Sequence, residues 1–480
     1  MNNETMNMMP SAVSHQPLAI RYWLFAILLF GFAFRIHDLG AQSLWLDEAY
    51  TYDMVVKHDW LGVWSAMLYW SNVSPLSYIP LKLSLLFLGT SEFALRFSSA
   101  MWGWLAIGAV YRLSRSITQE ATSLLTTALV AFSPFTVWYA RDARAYGMYL
   151  LFSALTLWAF LRAERGRGWI AYIIHSALWY ITHYLSALYT FAMIAYTLTR
   201  MRNQPLLFRR LLLAQLPAAV PVIIWIAVFI STRQGIAGMA WIPQVTLLTP
   251  LQTLWNFFSG DATDWTPLMI IGIILIVALM ITGARSTSSV TPLLLWYLIL
   301  PIVTAWLFSL RKPSYVDRYF EPTILPVMLL TAMGLMKLPR AWGRYVIALI
   351  IIGMLFSSSR IYFDPEFAKE DWRGAAKKIE SLQLPVSVPD PESPLALSPY
   401  ISPIYMLARD GNELSDLASK TPFIFVLRSP YDSNHTFSKS ESFDPLKDGS
   451  PFFKQWVKDN PSIPIRIYKF TGLALIVIGK

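Results

Sequence analysis

The sequence has no cysteine, and its 480 residues hold only 6 His and 29 Asp and Glu, against 39 Lys and Arg. Without cysteine there are no disulfides, thiolate metal sites or cysteine nucleophiles. Charge of either sign is scarce at 14%, while 55% of residues are hydrophobic and 15% aromatic, too apolar for an ordinary soluble chain. There is no Gly-rich phosphate loop and no short-period repeat, which removes nucleotide-cradling loops and solenoid arrays. A soluble basic domain with interleaved aromatics is also missing, so the net charge of +10 is not read as nucleic-acid binding. In a polytopic membrane protein, Lys and Arg belong on cytoplasmic loops, where they set orientation.

What is present is a series of apolar runs of roughly spanning length, about eleven in number. They fall near residues 20–36, 97–111, 121–138, 147–161, 169–182, 184–199, 211–230, 267–283, 290–309, 323–336 and 345–357. No small-residue cleavage site follows the first, so it reads as a retained span. With the N-terminus cytoplasmic, the inner loops are Arg112–Arg115, Arg162–Arg167, Arg200–Arg210, the loop at Arg285 and Lys337–Arg344, basic and almost free of acid. The outer face then receives 37–96, 139–146, the turn at His183, 231–266, Arg311–Glu321 and everything after about 357. This predicts a multi-pass protein of the plasma (inner) membrane. The run Pro75–Leu88, with Trp60, Trp64, Trp70, Tyr78 and Lys82 in and around it, is predicted to lie in the interface. Counting it as a span would invert every later loop. Residues 47–89 are thus expected to form a lid of interfacial helices.

The predicted fold class is mainly α, a polytopic helical membrane domain over 1–357, with a small extracytoplasmic α/β domain over 358–480. In the latter, Phe423–Leu427 and Leu473–Ile478 are apolar runs of strand length, bounded as strands are.

Asp47 and Glu48 follow the first apolar run, within Ser43-Leu44-Trp45-Leu46-Asp47-Glu48-Ala49-Tyr50. Adjacent carboxylates at a bilayer edge are costly and point to chemistry at the membrane face. Ser43 is a candidate cap for a helix whose first turn holds both acids. An ionised carboxylate there can take a proton from a hydroxyl or hold a divalent cation; the plain alternative is a helix-start acid in a solvated loop. Arg141, Asp142, Arg144 and Tyr146 occupy one short outer turn, a pattern suited to a lipid phosphate at headgroup level or to local Arg–Asp pairing. Arg311, Lys312, Tyr315, Asp317, Arg318 and Tyr319 form a similar group. His183, between Thr182 and Tyr184, is suited to a metal or a sugar hydroxyl, or is a satisfied hydrogen-bonder.

Four stretches together resemble a known group: Leu44–Ala49 after the first span, Ser74-Pro75-Leu76, Ala94–Ala100 opening the next, and Ser133–Tyr146. They look like the GT-C glycosyltransferases that use polyprenyl-phosphate sugars, among them the family 39 protein O-mannosyltransferases and the lipid A aminoarabinose transferase. Thr182-His183-Tyr184 and Asp317-Arg318-Tyr319 fit the same pattern, which runs in order over about 20–360. The resemblance implies transfer, with inversion, of a sugar from a polyprenyl phosphate to a lipid, glycan or protein acceptor outside the cytoplasm. It implies Asp47 as general base, Glu48 as support or metal ligand, and Arg141, Arg144 and Arg318 as phosphate ligands. The chain departs from the pattern at Ser74 and Leu76, where relatives often carry His and Pro, and at Asp142, where they often carry Glu. The competing reading is a transporter or flippase of a lipid-linked saccharide, which would place ionisable groups and broken helices at mid-membrane.

Overall fold

The computed structural model describes residues 18–69, 75–231, 242–260, 265–285, 289–402, 405–429 and 443–479; Trp70 and Ser74 lie outside them. Each predicted apolar run is helical. The chain begins with α1 (Leu18–Ile36), then α2 (Leu46–Val56), α3 (Trp60–Tyr69), α4 (Pro75–Leu88) and α5 (Glu92–Ile117). It continues through α6 (Glu120–Phe132), α7 (Pro134–Ala140), α8 (Tyr146–Glu164), α9 (Trp169–Thr182), α10 (Ser186–Thr199) and α11 (Pro205–Ser231). After α12 (Thr249–Ser259), α13 (Pro267–Ala284) and α14 (Thr291–Ser309), a 3-10 segment Asp317–Thr323 leads into α15 (Ile324–Leu335) and α16 (Arg340–Phe363). Among the described residues six helices, α5, α8, α11, α13, α14 and α16, are each long and apolar enough to cross a membrane, or seven spans if α6 and α7 count as one. This is a multi-pass membrane protein.

The run predicted as one span over 121–138 is bent by 55° between α6 and α7. Pro134 has no N–H to continue α6 and its ring excludes the carbonyl four residues back. The new start is capped by Ser133, whose Oγ accepts from the Thr136 amide and donates to the Phe257 carbonyl on α12. The 14 residues of α4 rise about 21 Å, short of the roughly 30 Å apolar slab. Its inner face buries Tyr78, Leu81 and Leu85 while Leu86 and Phe87 stay exposed, as expected of a helix lying on the body. Lys82 reaches from it to the Val55 and His58 carbonyls at 2.6 and 2.5 Å, closing the C-terminal end of α2. Where α8 starts against α5, a Cβ on Gly147 would sit 2.6 Å from the Gly103 nitrogen. Two glycines face to face let the backbones touch there, which draws the 141–145 turn down onto α5.

After α16 come a turn at Pro365–Phe367 and α17 (Trp372–Leu382), then β1 (Val386–Val388), α18 (Glu392–Leu397), β2 (Tyr405–Leu407), α19 (Gly411–Lys420), β3 (Phe423–Arg428), α20 (Pro451–Asp459), β4 (Ile465–Phe470) and β5 (Leu473–Ile478). The sheet order is β2-β1-β3-β5-β4, with β1 parallel to β2 and β3 and the rest antiparallel. Alternate residues of β5 face opposite layers: Leu473, Leu475 and Val477 pack with α17 and α18, and Ala474, Ile476 and Ile478 with α19 and α20. The first of these cores also contains Ala49 of α2. The acid-bearing helix is therefore clasped between the helical body and the C-terminal domain.

Candidate active site

Helix α2 begins at Leu46, and Asp47 and Glu48 fall in its first turn. Its N-cap is Trp45, with no side-chain cap, and not Ser43, whose hydroxyl instead donates to the Glu370 carbonyl. The Glu48 carboxylate reaches back to the Trp45 amide at 3.4 Å, half of a capping box. Successive helix residues project about 100° apart, so the two acids diverge. The Asp47 side chain is 25% exposed and the Glu48 side chain 0%.

Asp47 sits between two guanidinium groups. Nη2 of Arg144 lies 3.9 Å and Nη2 of Arg318 3.8 Å from Asp47 Oδ2, charge contacts longer than hydrogen bonds. Arg144 is held by its own contacts to the Asp47 carbonyl, 3.3 Å, and Thr51 Oγ1, 3.5 Å, and its carbonyl accepts from Ser99 at 3.0 Å. Arg318 is buried, with the rings of Trp45 and Tyr319 at 5.9 and 5.8 Å. Its amide donates to Asp317 Oδ1, whose other oxygen accepts from Asn256 of α12 at 2.6 Å. Arg311 and Lys312 are exposed, and Tyr315 is buried against Phe320 and Thr253.

His183 completes one wall. Its ring stacks on Tyr149 and Tyr184 at 4.5 and 4.9 Å and approaches Tyr319 at 5.3 Å, and its Nδ1 accepts from the Leu185 amide at 3.3 Å. Burial, then the charges of Arg144 and Arg318, push the imidazole down to about 3, so it is neutral near pH 7. Tyr146, at the start of α8, packs edge-on against Tyr139. Asp47, Arg144, His183, Arg318 and Tyr319 thus come together.

The other expected site residues do different work. Glu48 is clamped by Arg96 of α5, Nε to Oε1 at 2.7 Å and Nη2 to Oε2 at 2.6 Å. It also accepts from the Ala143 amide at 2.9 Å and pairs with Lys369 at 3.1 Å. Burial opposes its ionisation, but Arg96 and Lys369 prevail and hold the carboxyl well below the usual carboxylate range. With both oxygens taken, Glu48 is not available as a metal ligand or a second reacting acid. Among the described residues no three of His, Cys, Asp and Glu form a metal-binding group. Asp142 is buried and paired with Lys369 at 2.5 Å. Arg141 is turned to the end of α1. It donates to the carbonyls of Phe34, 3.3 Å, His37, 2.5 Å, and Asp38, 3.3 Å, and stacks on Tyr362 at 4.6 Å. Those carbonyls are the orphan acceptors of a helix C-terminus, and they occupy the guanidinium in this structure.

Sequence reasoning missed Lys369 and gave Arg96 no role. Lys369 stands in a charged run, 364–373, that reads as a solvated loop. Arg96, four residues into α5, passes for an interfacial anchor.

A family model described as dolichyl-phosphate-mannose-protein mannosyltransferase matches residues 72–225, a segment that starts after the acid pair. A search of curated proteins finds none that matches. Among solved structures, ArnT from Cupriavidus metallidurans in the apo state aligns over 96% of this chain and 98% of that one, at 14% identity and a TM-score of 0.60. The same protein bound to undecaprenyl phosphate aligns at 14% identity, over the same shares, with a TM-score of 0.57. The archaeal oligosaccharyltransferase AglB from Archaeoglobus fulgidus, in complex with an inhibitory peptide and a dolichol-phosphate, aligns over 85% of this chain and 70% of that one, at 11% identity and 0.51. The chain shares the fold of ArnT over 96% of its length.

Proposed function

We propose that this chain is a glycosyltransferase that takes a sugar from a polyprenyl-phosphate donor at the outer face of the membrane, with inversion and with Asp47 as the general base. The observation that carries the reading is the single part-exposed carboxylate flanked by two guanidinium groups within 4 Å. A base and two phosphate forks in that arrangement suit displacement of a phosphate from a sugar carbon. Arg144 and Arg318 bind the phosphate, and as the glycosidic bond breaks they stabilise the charge that grows on it more than they stabilise the ground state. Asp47 takes the proton of the acceptor hydroxyl or amine that attacks from the opposite side. Before donor arrives, the two guanidinium groups use Asp47 as their counter-ion; donor phosphate competes for the same forks and leaves the carboxylate to the acceptor.

A donor with a prenyl tail holds its sugar at headgroup level, where the interfacial helices α3 and α4 lie beside α2. The orientation rests on charge. Arg112, Arg115, Arg162, Arg165 and Arg200 gather at the far ends of α5, α8 and α10, Arg112 and Arg162 stacking on one ring, Trp158. The Asp47 site lies at the opposite ends of α5 and α8. Basic ends belong in the cytoplasm, which supports a site and a C-terminal domain on the outer side.

Asp47→Asn is expected to lower transfer by about 10²- to 10⁴-fold, the range for a general base, with normal expression and membrane insertion. Mass spectrometry of surface glycans, glycolipids and lipid-linked sugars from wild-type, deletion and Asp47→Asn strains reads it out. Both altered strains should lack the same glycoform; a full wild-type profile in the Asp47→Asn strain defeats the base assignment.

A further inference from the structure

The segment joining α16 to the C-terminal domain sends one side chain into the helical body. The Lys369 side chain is only 8% exposed. Its ammonium is 3.1 Å from Glu48 Oε2 and 2.5 Å from Asp142 Oδ1, with the Trp138 ring at 5.7 Å. Three separate pieces of chain meet at this nitrogen: α2, the turn between α7 and α8, and the lead-in to the C-terminal domain. With Arg96 the cluster holds two cations and two carboxylates, all nearly sealed from water, so it is neutral only when complete. Asp142 has Lys369 as its one ion-pair partner, and its second oxygen accepts no hydrogen bond among the described residues. Such a carboxylate is destabilising in an apolar interior once its cation is gone.

The same lead-in grips the strand of chain just before α2. The Lys369 amide donates to the Gln42 side chain at 3.2 Å, and Arg373 donates to the Ala41 carbonyl and pairs with Glu92 at 3.4 Å. The Leu44 amide donates to the Tyr400 hydroxyl at 2.7 Å. From below, Arg96 binds the Leu39, Gln42 and Ser43 carbonyls at 3.0, 2.8 and 2.8 Å. The backbone that carries Asp47 therefore has no anchor of its own kind: it is not in a sheet, and its helix is only 11 residues long, too short to be stable alone.

We propose that Lys369 is a positioning residue: by tying Glu48 to Asp142 it makes docking of the C-terminal domain a condition for setting Asp47 between Arg144 and Arg318. Lys369 itself touches neither donor nor acceptor. It acts through Glu48, one residue from Asp47, and through the turn whose Ala143 amide binds Glu48 and whose next residue is Arg144. The base and one phosphate ligand are thus placed by the same ammonium group. The catalytic part of this inference rests on the function proposed above; the mechanical part does not.

The test is hydrogen exchange on the full-length protein in nanodiscs, beside steady-state transfer from a polyprenyl-phosphate sugar. Lys369→Met is expected to speed exchange of the amides over 43–50 by about tenfold or more, with β3 and β5 keeping wild-type protection, because local opening is read separately from global unfolding. Lys369→Arg, which can span both carboxylates, is expected to restore slow exchange and most of kcat. Asp142→Asn keeps the size of the side chain and removes one leg of the bridge; it too should loosen 43–50, which Asp142 does not touch, and this variant carries the test if Lys369→Met fails to fold. In transfer assays kcat should fall in step with the loosening. Wild-type exchange at 43–50 in either Lys369→Met or Asp142→Asn overturns the inference. If exchange rises while no polyprenyl-phosphate sugar is used even by the wild type, the strut stands and it is the proposed function that fails.

Discussion

At the level of single residues, the two neighbouring acids show how little a sequence position says about a role. A single residue step of about 100° around the helix separates a carboxylate that faces the site from one that is locked in the interior, and the choice is made by Arg96. An arginine buried at that point on α5 needs a bidentate acceptor, and Glu48 supplies it. The adjacency of Asp47 and Glu48 was legible, and the resemblance named Asp47 as the base; the burial of Glu48 was not legible, because that depends on where α5 lies. His183 is a second case. Its imidazole is held at about 3 by burial and by Arg144 and Arg318, so it stays neutral across the range of about pH 5 to 8 in which histidines ordinarily titrate. His183→Gln should therefore leave both limbs of the pH–rate profile where they are, while changing the rate through lost stacking on Tyr149. A limb that moves or disappears in that variant would mean that the imidazole does carry the proton.

At the level of elements, the helices that form the body follow from apolar periodicity and length, and they stand where the hydropathy of the chain puts them. The strands β3 and β5 were legible for the same reason, as short apolar runs. By contrast β1 and β2 have three residues each and lie in or beside a Pro-rich stretch, so only the parallel pairing of β1 to β3 and of β2 to β1 defines them. The bend at Ser133 was available in principle from Pro134, but a proline at the first helical position is also tolerated, and the sequence does not say which helix it begins. The contact of α2 with the C-terminal core is likewise tertiary. Ala49 is fully buried in the core that also holds Trp372 and Leu475. Ala49→Leu should destabilise this junction by about 1–3 kcal/mol, as overpacking does, and lower transfer as well; thermal unfolding in detergent beside an activity measurement checks both, and an unchanged midpoint with full activity would show that α2 and the domain are not tightly packed.

For the whole molecule, the arrangement is one of two bodies closing over a short acid-bearing helix at the end of the bundle opposite its basic loops. Charge distribution announces the two ends of the bundle. The joint between the bodies has no such signature, since Lys369, Glu48, Arg96 and Asp142 are far apart in sequence and each is unexceptional alone. On the proposed function, donor recognition is concentrated in two arginines, Arg144 and Arg318, while Asp47 serves the acceptor. The most direct measurement is binding of a polyprenyl phosphate to the purified protein by native mass spectrometry, for wild type, Arg318→Ala and Asp47→Asn. One lipid phosphate should bind the wild type, Asp47→Asn should bind it at least as well, and Arg318→Ala should bind it roughly 10- to 100-fold more weakly, the worth of one charged hydrogen-bond donor. Equal affinity in wild type and Arg318→Ala, or loss of binding in Asp47→Asn alone, would contradict the placement of donor phosphate between the two guanidinium groups.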